Sequence, residues 1–160
     1  MTPSSDFSCT LRWHQAGGQL RFGDPLDPVA AIALDGPAIA RRFFRHDPPR
    51  PAELEQAIDV IEEALMTIAP RIGQPARFVT DDAVLRRLPA GRAAAQAAGE
   101  ERSLDAAEVE ALFQRLASAS LGHPSAAAGL PPGREAAANL LLLRETMHHF
   151  GVGELRIVSG

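Results

Sequence analysis

The segment 77–88, RFVTDDAVLRRL, sets two carboxylates side by side, Asp81 and Asp82, where a short apolar run meets a helix-like pattern of Val84, Leu85 and Leu88. Three chemistries fit such a pair. Two carboxylates can hold a Mg²⁺ that bridges them to phosphate oxygens. They can divide acid and base roles. An Asp at the start of a helix can also accept the first unpaired backbone N–H groups. Residue type alone favours the cap; the other two chemistries remain open.

Other residues carry less. His148 and His149 are adjacent, so on a helix they point about 100° apart and do not chelate one metal easily. Placed at a helix C-terminus, they suit its dipole. Cys9 falls on the apolar face of a strand and reads as core. Glu62 and Glu63 read as an exposed acidic helix face. Arg134 precedes a helix, where it braces a loop or binds an anion. No P-loop, nucleophile elbow or metal-ligand spacing is present. All 16 basic residues are Arg, so every Lys-based mechanism is excluded.

These residues must be positioned by a chain of 160 residues, long enough for one domain over 1–160 with a sizeable core. Its 46% apolar content is that of a globular protein. The net charge is −4, and no basic patch interleaves with aromatics, so nucleic acid is not an expected partner. The single cysteine excludes an internal disulfide. The start, MTPSSDFSC, lacks the basic-then-apolar pattern of a signal peptide. The longest apolar run, Leu140 to Leu143, is too short for a membrane span. A cytoplasmic location is expected.

Periodicity supplies the elements. Phe7, Cys9, Leu11 and Trp13 alternate with polar residues, which predicts a strand over 7–14. QAGGQ is a turn, and Leu20 and Phe22 resume the apolar face, which predicts a hairpin. The run 29–34, VAAIAL, suits an inner strand. Residues 37–45 follow Pro37 as a short helix. Leu54, Ile58, Ile61, Leu65 and Ile68 predict a helix over 51–69 that Pro70 and Gly73 end. A strand at 76–80 and a short helix at 82–88 follow. Residues 89–102 have no large apolar side chain and read as a loop or a poorly anchored helix. Ser103 reads as the N-cap of a helix over 104–118. A long loop leads to a buried helix over 134–149, closed by Gly151, and to a last strand ending at Val158. Strands at 76–80 and 154–158 are expected to be parallel neighbours, because each follows a helix able to cross over.

Three early strands followed by strands alternating with helices imply a mixed sheet with helices packed on it. The segment 121–160 resembles the late part of the exopolyphosphatase and guanosine pentaphosphate phosphatase family. Gly129, Leu130, Pro131 and Arg134 match its Gly-Leu-Pro-x-x-Arg signature, and Val158-Ser159 match the strand end that follows. FFRHDPPRPAELEQAIDVIEEALM resembles the family's segment between a glycine-rich strand and the next strand. The resemblance spans about residues 5–160 and corresponds to the second of the family's two actin-like halves. It implies an α/β, ribonuclease H-like and actin-like half-domain. It also implies phosphate-binding positions at Thr10, Thr80 and Arg134, and catalytic candidates at Asp6, Asp81 and Asp82.

The departures from the family are informative. Its second half opens with a strand running into Asp-x-Gly-Gly-Gly-Ser-Thr-Glu, and SDFSCTLRW occupies that place without glycines. The next phosphate-facing turn, Gly-Gly-Thr, aligns with VTDDAV, where carboxylates replace glycines. An unscreened carboxylate repels a contacting phosphate by roughly a few kcal/mol. The expectation is a degenerate, non-catalytic binding or assembly module, paired as a homodimer or with a complementary actin-like half. The alternative is a Mg²⁺-dependent phosphohydrolase acting on polyphosphate or a phosphorylated nucleotide, with its site completed by a partner chain.

Overall fold

A computed structural model of the chain describes residues 10–24, 26–75, 77–89 and 101–159. Strands β1 (Thr10–Ala16) and β2 (Gln19–Gly23) form the expected hairpin. Ala16 pairs with Gln19, which leaves Gly17 and Gly18 as a two-residue turn with φ of 58° and 81°. Positive φ at both positions is the type I′ geometry, which matches strand twist and selects glycine. Strand β3 (Pro28–Ile32) pairs antiparallel with β2.

Helices α1 (Gly36–Phe43) and α2 (Pro51–Ile72) then lead to β4 (Arg77–Thr80). Strand β5 (Arg102–Asp105), α3 (Ala106–Ser120), α4 (Arg134–Phe150) and β6 (Glu154–Ile157) complete the chain. One six-stranded mixed sheet results, ordered β3-β2-β1-β4-β6-β5. β4 runs parallel to both β1 and β6, as the crossovers require.

Alternation along the strands sorts the two faces. Trp13, Leu20, Phe22, Phe78, Leu104 and Leu155 are fully buried. They share a core with α4, whose Leu141 to Leu143 are also fully buried. α1, α2 and α3 all pack against α4. The opposite face carries Arg12, Arg77 and Arg156, paired with Asp81, Glu154 and Glu101. A sheet with one polar face needs no second helical layer there.

Four expectations are corrected. β3 is an edge strand rather than an inner one: only Ala30 and Ile32 are buried, while Val29 and Ala31 face outward. Alanine on both faces hid this alternation in the sequence. α2 continues through Pro70 to Ile72, with Gly73 as its C-cap at φ 68°. The carbonyl that Pro70 leaves without a donor belongs to Met66, on the solvent side of the helix.

The helix expected over 82–88 is only a 3₁₀ turn, Leu85–Arg87. Pro89 drives Leu88 out of the helical region, to ψ 143°. Residues 102–105 are a strand, and the N-cap of α3 is Asp105 rather than Ser103. Asp105 and Glu108 exchange reciprocal bonds of 2.7 and 2.8 Å. Leu104, fully buried on β6, is what anchors β5.

Candidate functional site

Because β1 and β4 are parallel neighbours, with Arg12 opposite Val79, their C-terminal ends meet. Ligand sites of open α/β sheets gather at that edge. Here it holds a closed polar junction centred on Gln15. The Gln15 amide oxygen accepts from Gly36 N at 2.7 Å. Its nitrogen donates to Asp82 Oδ2 at 2.8 Å and to Asn139 Oδ1 at 2.5 Å. Asn139 is buried in α4 and donates to the Glu135 carbonyl. Four elements are thereby tied together: the end of β1, the start of α1, the turn after β4, and α4.

Two local features make the junction possible. Asp35 is the N-cap of α1; one of its oxygens accepts from Ala38 N and the other from Gly18 N, both at 2.8 Å. Gly36 admits Asn139, because a Cβ there would lie 2.4 Å from the Asn139 amide. On the β4 side, Asp82 Oδ1 accepts from Val84 N and Leu85 N at 2.8 and 3.2 Å. The buried Thr80 hydroxyl accepts from Asp82 N at 3.1 Å. Asp82 thus holds the N–H groups of the chain entering the 3₁₀ turn, and Thr80 supports it.

Asp81 faces the other way. Its Oδ2 accepts from Arg12 at 2.7 Å, and Oδ1 lies 3.8 Å from His14, both on the polar face of the sheet. Burial pushes the Asp81 carboxyl up, but the hydrogen bond and charge of Arg12 outweigh it and hold the group below its ordinary range. The two adjacent carboxylates therefore diverge, one to each face. Among the described residues, no group of three His, Cys, Asp or Glu is placed to hold a metal ion.

The remaining expected site residues scatter. Thr10 is exposed at the start of β1 and pairs with Arg77, at the opposite end of the strands from Asp82. Asp6 and Cys9 lie outside the described residues. Arg134 Nη1 donates to the Phe44 carbonyl at 3.0 Å, a brace for the loop after α1. His149 packs edge-on against Phe150 at the end of α4. Glu62 and Glu63 are exposed on α2.

β1 runs on through Gln15 and Ala16 into the Gly17-Gly18 turn, while residues 5–9 of SDFSCTLRW lie outside the described residues. Alternation that continues past residue 14, with Gln15 below the hairpin, was the available signal. Gln15, Asp35, Gly36 and Asn139 were all missed from sequence. Each is an ordinary polar or small residue, and their union depends on long-range folding.

No family model matches the chain, and no curated protein matches it. Solved structures do. The Aquifex aeolicus Ppx/GppA phosphatase, type II variant, superposes with a TM-score of 0.66 at 14% identity, over 94% of this chain and 53% of that one. An exopolyphosphatase from Cytophaga hutchinsonii gives 0.68 at 16% identity, over 94% and 53%. An exopolyphosphatase-like protein gives 0.60 at 11% identity, over 94% and 54%. The chain spans about half the length of these structures. Its mixed sheet with helices packed on it is the actin-like, ribonuclease H-like fold of one half of a Ppx/GppA exopolyphosphatase.

Proposed function

We propose that this domain is a non-catalytic, exopolyphosphatase-related binding or assembly module. One observation carries the reading: backbone N–H groups at the strand-end turns are taken by the chain's own side chains. A phosphate-binding turn works by offering several N–H groups to an anion. Here Gly18 N donates to Asp35, Gly36 N to Gln15, and Val84 N and Leu85 N to Asp82. Two of those acceptors are carboxylates, which repel a phosphate entering at contact distance. Asp81, the other acid of the pair, is committed to Arg12.

The partner proposed for such a module is a second copy of the chain or a complementary actin-like half. Purified protein with Mg²⁺ and long-chain polyphosphate or guanosine pentaphosphate is expected to release no phosphate above a blank. Reproducible turnover that disappears in Asp81→Ala or Asp82→Ala would instead establish the Mg²⁺-dependent phosphohydrolase. Light scattering at micromolar concentration is expected to show a homodimer, or a heterodimer once a complementary half is added; a strict monomer with either would remove the assembly role.

A further inference from the structure

Beside the N-terminal end of α4 lie two adjoining depressions of opposite chemistry. The first is an apolar slot of about 210 Å³ walled by Leu88, Leu116, Leu130, Pro131 and Leu140, with Asp47 also lining it. The second is an open groove of about 340 Å³ that carries Arg41, Arg87 and Arg134, against one acid, Glu135. They share Pro132, Gly133 and Ala136, so one molecule can occupy both. Neither contains Gln15, Asp35, Asp82 or Asn139. The composite depression therefore stands apart from the strand-end junction.

We propose that this composite depression binds a small organic anion: one phosphate or carboxylate head on a compact aliphatic or aromatic group. The slot is smaller than the roughly 300–1,000 Å³ of pockets that take whole drug-sized ligands, so it accepts a group of a few carbons. The groove supplies the complementary charge. Arg134 is braced by the Phe44 carbonyl. Among the described residues, the guanidinium groups of Arg41 and Arg87 have no ion-pair or hydrogen-bond partner, and both residues are exposed. A guanidinium presents a planar fork suited to an oxyanion. Glu135 and Asp47 disfavour a polyanion spread over the whole surface, and so favour one anionic head with an uncharged remainder.

The test is calorimetric titration with hexyl phosphate, inorganic phosphate and 1-hexanol. Saturable one-to-one binding is expected for hexyl phosphate alone, because each half of the site is insufficient. Arg41→Gln/Arg87→Gln is expected to weaken it at least about tenfold. Ala127→Phe, which fills the slot from its partly exposed wall, is expected to do the same. Unchanged thermal unfolding keeps the comparison valid. If Ala127→Phe unfolds, the exposed arginine pair alone decides. No binding, equal binding of inorganic phosphate, or binding indifferent to the arginine substitutions would each overturn the proposal.

Discussion

Gln15 Nε2 lies 2.8 Å from Asp82 Oδ2, joining the end of β1 to the turn after β4 across 67 residues of sequence. The same amide holds Gly36 N and Asn139, so one side chain positions four elements. Removing it strands several buried or half-buried polar groups. Gln15→Ala is expected to lower stability by about 1–3 kcal/mol, read as a lower urea midpoint with an unchanged slope. Gln15→Glu is expected to cost at least as much, because a carboxylate would then face Asp82. A midpoint within error of wild type for both would show that the junction contributes nothing.

Gly36 tests the geometry of that junction. Gly36→Ala places a Cβ 2.4 Å from the Asn139 amide and is expected to destabilise by about 1–3 kcal/mol. Gly153→Ala, where a Cβ meets nothing within 4 Å, is expected to be neutral or slightly stabilising. Thermal unfolding of the two variants side by side distinguishes close approach from a general intolerance of alanine.

How much of this was legible beforehand differs by element. α2 and α4 announced themselves, because Leu54, Ile61 and Leu65 and the run Leu140 to Leu143 place large apolar side chains at helical spacing. The parallel pairing of β4 with β6 followed from crossover topology. β5 was illegible, since Leu104 is its only apolar anchor and its stability comes from pairing with β6. The site was half legible. Asp82 could be read as a cap from its type. Its Gln15 and Asn139 partners are distant in sequence, and nothing local distinguishes them. The divergence of Asp81 from Asp82 needs the polar face of the sheet, which only the strand register defines.

Leu104→Ala tests whether β5 is part of the core. Loss of a fully buried leucine is expected to cost about 2–5 kcal/mol. Arg77→Ala, which removes a half-exposed ion pair with Glu154, is expected to cost only about 0–1 kcal/mol. Equal, small effects in denaturant titrations would mean that 102–105 does not hold its place in the sheet.

Acid stability has a defined sign. Burial raises the Glu53 carboxyl, but bonds from the Arg50 and Arg45 backbone N–H groups and from His46 lower it further, to about 2 from an ordinary 4.5. A depressed carboxylate stabilises the fold fully above its unfolded pKa, and that contribution is lost as pH falls through the folded value. Glu53→Gln is therefore expected to show a constant deficit above about pH 5 that shrinks toward pH 2. Glu110 is depressed in the same direction by its bonds from Arg144 and Gln114, against a smaller effect of burial. A deficit that grows on acidification would contradict the assignment.

The strand-end N–H groups already serve the protein's own side chains. Amide NMR during titration with tripolyphosphate and Mg²⁺ tests it directly. The resonances of Gly17, Gly18 and Gly36 are expected to stay in place to millimolar ligand, whatever moves near the exposed arginines. Saturable shifts at Gly18 and Gly36 would show that the junction opens to phosphate and would contradict the account.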